Sequence, residues 1–90
     1  MSHRVVITGI GMISPLGLDT ATTWKALLAG TSGVGRITAF DTTGYDTTIG
    51  AEVKGFDPGQ FMDRKEARRS DRFTQFAIAA AKEALTNSGL

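Results

Sequence analysis

Between Phe73 and Leu85 the apolar residues keep one helical spacing. Phe73, Phe76, Ala77, Ala80, Ala81, Ala84 and Leu85 stand at i, i+3, i+4, i+7, i+8, i+11 and i+12. Such a stripe is the core-facing side of an amphipathic helix. Because so many of its members are alanine, the helix can lie very close to a neighbouring element. The spacing predicts a helix over about 71–87 with this face buried. Asp71 can open it after a break near Ser70, and Asn87-Ser88-Gly89 can end it.

Four further elements follow from local pattern. Val5, Val6 and Ile7 are consecutive and β-branched, which predicts a strand over 4–10 covered on both faces. Gly9, Gly11, Pro15 and Gly17 then mark a loop whose backbone passes close to something. Asp19 can cap a helix over about 20–29. Ala21, Trp24, Leu27 and Leu28 form its apolar stripe, and Gly30 can end it in the left-handed region. Residues 31–48, rich in Gly, Thr, Ser and Asp, read as a long connection anchored by Ile37 and Phe40. Ile49, Ala51 and Val53 alternate with Gly50, Glu52 and Lys54, which predicts a strand near 50–55 with one solvated face. A short helical turn is expected from Pro58 to Met62.

The order strand, helix, strand, helix places the chain in the α/β class. Two strands make a poor sheet, and a strand covered on both faces needs more partners than 90 residues supply. The chain therefore reads as an incomplete part of a larger domain. With 41% hydrophobic and 21% charged residues it has the composition of a soluble globular protein. A net charge of +1 gives no bulk attraction to nucleic acid or membrane. No apolar run approaches the ~20 residues of a membrane span, and no targeting segment is visible. A cytoplasmic setting is expected, with which the absence of cysteine is compatible.

Most reactive motifs fail on inspection. Gly9 and Gly11 could begin a dinucleotide-binding turn. The third glycine position is Ser14, however, the helix opens only near Thr20, and no acidic residue stands where a ribose would be held. His3 is the only histidine and has no metal-ligating or catalytic partners nearby in sequence. Ser14, Ser32 and Ser70 lie outside any nucleophile-elbow context. Asp63 with Glu66 three residues on is a helix-capping pattern rather than an acid/base pair. No catalytic, cofactor-binding or metal-binding residue is assigned.

The basic segment stands apart. Arg64, Lys65, Arg68, Arg69 and Arg72 are half of all Lys and Arg and occupy nine residues. Lys65, Arg68, Arg69 and Arg72 would share one stripe of a single helix. Like charges at those spacings repel by about 0.2–0.5 kcal/mol per pair, so local stability does not favour the arrangement. A solvated face is the ordinary explanation of a charge run; the alternative is a docking patch for an anionic partner.

Taken together, these segments resemble the start of the type II elongating β-ketoacyl-acyl carrier protein synthases. The resemblance rests on Arg4-Val-Val-Ile-Thr-Gly-Ile-Gly-Met-Ile-Ser-Pro-Leu-Gly17, Thr23-Trp-Lys-Ala-Leu-Leu-Ala-Gly30, Ser32-Gly33 and Phe40-Asp41. It continues through Arg64-Lys-Glu-Ala-Arg-Arg-Ser-Asp-Arg-Phe73, Ala84-Leu85 and Ser88-Gly89-Leu90. It implies that residues 1–90 are part of the N-terminal half of a thiolase-like layered α/β fold, in a homodimeric enzyme of fatty acid synthesis. It also implies a decarboxylative Claisen condensation between an acyl group on cysteine and malonyl-acyl carrier protein, assisted by two histidines. The family's cysteine, histidines and active-site lysine are expected beyond residue 90. Lys65, Arg68 and Arg69, with Arg64 and Arg72 as weaker candidates, match the basic positions that meet the acidic helix of an acyl carrier protein carrying acyl or malonyl groups. Two alternatives stay open: a non-catalytic chain-length-factor homologue of a polyketide synthase, and a free-standing basic-helix interaction module.

Overall fold

The computed structural model describes residues 2–90, which divide into two units: residues 2–12 with 57–90, and residues 13–56.

In the second unit, Ser14 and Gly17 close a tight turn through Ser14 N–H to Gly17 O (2.9 Å) and Gly17 N–H to Ser14 O (3.2 Å). Helix α1, Thr20–Leu28, follows. Asp19 caps it by accepting from Thr22 N–H at 2.7 Å, and hydrogen bonds from Thr22 hold its carboxyl below the usual range. Gly30 ends the helix at φ 71°, where a residue with a Cβ would be strained. The buried position of α1 is Thr23, whose Oγ1 lies 2.8 Å from Ser14 Oγ. Trp24, Leu27 and Leu28, expected to face a core, are exposed. The helix is thus where its spacing put it, but its inward face in this unit is hydroxyl-bonded rather than apolar.

Strands β1, Val34–Arg36, and β2, Ile49–Ala51, pair antiparallel with Val34 opposite Ala51 and Arg36 opposite Ile49. The alternation of 49–53 located β2. Its partner lies in the segment read as a connection, because Val34-Gly35-Arg36 carries no apolar pattern. β2 also ends earlier than expected. Past Ala51, the Glu52 side chain serves residues 38 and 39 in place of a ladder. It accepts from Thr38 N–H (3.0 Å), Ala39 N–H (3.0 Å), Thr38 Oγ1–H (3.1 Å) and Lys54 Nζ–H (3.0 Å).

Glu52 is consequently the most acidified group described. The Thr38 N–H and then the Lys54 ammonium hold its carboxyl down at about 2, from an ordinary 4.5. A carboxyl depressed in the folded state stabilises fully above its ordinary pKa, and that contribution disappears as pH falls from about 4.5 through about 2. NMR titration is expected to show Glu52 protonating near pH 2, with the Thr38 and Ala39 amides shifting alongside. A midpoint at an ordinary glutamate value would mean these bonds do not persist in solution.

In the first unit, a 3₁₀ turn at Pro58–Gln60 leads to α2, Arg64–Arg69, and α3, Arg72–Ser88. Met62, in the link from the turn to α2, is buried. Gly89 closes α3 at φ 75°. The break between the helices falls at Ser70, which is extended and turns its hydroxyl back to Glu66 O at 2.8 Å. Asp71 holds the N-cap position of α3 without a side-chain capping bond.

Two expectations for this unit are corrected. Residues 4–10 form no strand, since a ladder needs a partner and they pair with no strand among the described residues; Val5, Val6 and Ile7 are exposed. The buried face of α3 is also rotated from the one expected. Gln75 and Ala79 face inward and Phe76, Ala80 and Ala84 are half-buried, while Phe73, Ala77, Ala81 and Leu85 are exposed. Gln75 can be buried because its Nε2 donates to Ala67 O (3.0 Å) and Ser70 O (3.3 Å), which satisfies the amide.

The close approach implied by the glycines and alanines is present. A Cβ placed on Gly9 would lie 2.1 Å from Ala84 O, and one on Gly11 would lie 1.7 Å from Ala80 O. Around this contact Glu83 accepts from Met12 N–H at 2.8 Å, and Asn87 Nδ2 donates to Ile10 O at 3.1 Å.

Candidate functional site

The strongest charge concentration lies on α2, whose six residues are Arg64-Lys-Glu-Ala-Arg-Arg69. Asp63 starts the helix here by accepting from Glu66 N–H at 2.8 Å, the first half of a capping box. Ala67 is the one residue of α2 without a charge, and it is the half-buried one. Its carbonyl receives the Gln75 amide, which ties α2 to α3. That leaves Arg64, Lys65, Arg68 and Arg69 exposed.

None of these four forms an ion pair among the described residues, where the ion pair found joins Lys54 to Glu52 in the other unit. Arg68 and Arg69 stand in the last turn, where the helix dipole favours cations. Arg64 and Lys65 stand in the first turn, where it opposes them. The patch is therefore cationic, unneutralised and partly held against its own repulsion.

Arg72 departs from the expected stripe. The Ser70 break puts it on α3, and its guanidinium lies 4.9 Å from the centre of the Phe76 ring. Such a contact is worth about 0.5–1 kcal/mol at an exposed site and gives Arg72 a local role. The structure thus carries Arg64, Lys65, Arg68 and Arg69 on one helix and Arg72 on the next.

One feature was not legible in the sequence. Asp57, Pro58 and Gly59 of the 3₁₀ turn and Arg64, Ala67 and Arg68 of α2 line a cleft of about 270 Å³. Pro58 and Gly59 read only as turn residues; nothing in their spacing relates them to α2. The chain has no cysteine, and its sole histidine, His3, is exposed.

Residues 2–90 match the family model described as "Beta-ketoacyl synthase, N-terminal domain". The chain is 53% identical over 88 residues to a 3-oxoacyl-[acyl-carrier-protein] synthase 2 of Vibrio cholerae, covering 98% of this chain and 21% of that protein. It is 52% identical to the protein of the same name in Coxiella burnetii, again over 98% of this chain and 21% of that one. For the Staphylococcus aureus (strain COL) protein of that name the identity is 49%, over 99% of this chain and 22% of that one. Among solved structures, the ishigamide ketosynthase/chain length factor superposes with a TM-score of 0.86 at 38% identity, covering 94% of this chain and 21% of that one. The chain spans about a fifth of the length of the curated relatives it matches.

Proposed function

The chain belongs to the β-ketoacyl synthase family, and from that premise we propose that it is the scaffold and carrier-docking segment of a 3-oxoacyl-[acyl-carrier-protein] synthase of fatty acid synthesis. Its fold is part of the α/β, thiolase-like architecture of that family. The reaction is a decarboxylative condensation: a malonyl thioester loses carbon dioxide, and the resulting enolate attacks an acyl thioester held on cysteine and expels the thiolate. That chemistry needs a low-pKa thiol and donors aimed at developing oxyanions. These 90 residues contain no thiol; in this reading they contribute the binding of the acidic protein that delivers both substrates.

The observation that carries the docking role is the unneutralised patch of Arg64, Lys65, Arg68 and Arg69 on α2. A protein-borne substrate must be recognised by its carrier, and an exposed cationic helix suits a negatively charged helix of a carrier protein. The reading places the enzyme in the cytoplasm as a homodimer.

A non-catalytic chain-length factor is the second reading, favoured by the likeness to a ketosynthase/chain length factor structure. The higher identity to three proteins named as synthases favours the condensing enzyme. A free-standing module fits less well, since Val5, Ile7, Leu28 and Phe73 would stay more than two-thirds exposed, at 92%, 82%, 70% and 73%.

Full-length protein supplied with acyl- and malonyl-acyl carrier protein is expected to release carbon dioxide and form 3-oxoacyl-acyl carrier protein. The isolated 90-residue chain is expected to form none. Mass spectrometry of the carrier reads both results. Full-length protein that decarboxylates without condensing, or does neither, would move the assignment to the non-catalytic homologue.

A further inference from the structure

We infer that the cleft between the 3₁₀ turn and α2 is a seat for one carboxylate side chain, a glutamate presented by an acidic helix. The inference rests on the carrier-docking reading and makes it more specific. Contact would depend on a shaped pocket as well as on diffuse charge.

The cleft's chemistry selects such an occupant. Pro58 and Ala67 supply apolar wall, and Arg64 and Arg68, at i and i+4 on one face of α2, also line it, so two cationic side chains border the cleft. The third charge is Asp57, whose Oδ1 already accepts from Gly59 N–H at 3.0 Å. Two cations against one engaged carboxylate leave the cleft net positive. At about 270 Å³ it has room for a side chain of a partner. A glutamate would lay its methylenes along Pro58 and Ala67 and place its carboxylate between the arginines, where charge-assisted hydrogen bonds are strong.

The cleft is also fixed before anything binds. Lys82 of α3 donates to Phe61 O just past the 3₁₀ turn, and Gln75 of α3 donates to Ala67 O of α2. Met62, which follows the turn in the chain, donates its N–H to Pro58 O at 3.1 Å. Both walls are thus tied to one helix, and a pocket held open in this way spares the partner the cost of forming it.

Ala67→Leu fills the cleft and leaves every charge in place. Binding of acyl carrier protein to the full-length protein, measured by titration calorimetry at two salt concentrations, is expected to weaken roughly tenfold, about 1.4 kcal/mol. Its salt dependence should be unchanged, because that dependence follows the charges. Ala67→Ser leaves the cleft open and is expected to bind as wild type. Arg64→Met keeps the aliphatic stem, removes one guanidinium and is expected to weaken binding by about two- to fivefold, about 0.4–1 kcal/mol. It also serves as the test should Ala67→Leu perturb α2. If Ala67→Leu and Arg64→Met bind as wild type while Lys65→Glu/Arg68→Glu/Arg69→Glu does not, the seat is wrong and the docking patch stands. If the triple variant also binds as wild type, the docking reading itself fails.

Discussion

Gly11→Ala is expected to detach residues 9–12 from α3 and to destabilise the full-length protein by about 3 kcal/mol or more, at or beyond the upper end for overpacking. The added methyl would stand 1.7 Å from Ala80 O, 2.6 Å from Ala80 C and 2.9 Å from Ala84 N. All three atoms are helix backbone, so no rotamer change can make room. Either the segment or the helix must move, and the bonds from Met12 N–H to Glu83 and from Asn87 to Ile10 O lie in the same contact. Gly9→Ala should act in the same direction, with Ala84 O at 2.1 Å. Gly35→Ala is the control, since its Cβ would meet nothing within 4 Å and its φ is not positive. Thermal melts, with hydrogen exchange of the α3 amides around residues 80–84, read the effect. A Gly11→Ala protein that melts with the Gly35→Ala control would show that this contact does not hold in solution.

That contact also marks how far the sequence could be read. The glycines after Ile7 and the alanines of 77–84 each signalled close packing, and the two prove to pack on each other. Helix ends were legible because they depend on local chemistry. Asp19 and Asp63 cap where their spacing to Thr22 and Glu66 places them, and Gly30 and Gly89 adopt positive φ. What depends on distant partners was not legible. The stripe from Phe73 to Leu85 gave a correct helix and a face rotated from the observed one, because a glutamine was not expected inside. Gln75 is there because α2 ends with carbonyls that need a donor, and only the fold brings these together. β1 was missed for a similar reason: Val34-Gly35-Arg36 is a strand through its pairing with β2, not through its composition. In the candidate site, the clustering of Arg64, Lys65, Arg68 and Arg69 was plain in the sequence. The break that takes Arg72 away was anticipated as a place, but its consequence for the stripe was not.

The second large effect concerns the proposed function itself. Lys65, Arg68 and Arg69 are exposed and unpaired among the described residues. Reversing all three to Glu removes three attractions, each worth up to about 1 kcal/mol, and puts repulsion in their place. A combined loss of about 2 kcal/mol corresponds to roughly a 30-fold rise in KM for a carrier-bound substrate. The rise should be steeper at low salt, where exposed charges are least screened. The substitutions cost the fold little. Glu at 65 suits the first turn of α2, and Glu at 68 and 69 opposes the dipole at its end by a few tenths of a kcal/mol each.

The decisive measurement is therefore a comparison of two substrates on one variant. Wild-type and triple-Glu full-length protein are assayed with malonyl-acyl carrier protein and with a small malonyl thioester lacking the carrier, at low and high salt. The account predicts a KM raised roughly 30-fold for the carrier-bound substrate, partly restored by salt, with turnover of the small thioester unchanged. An equal loss on both substrates, or no loss on either, would contradict it.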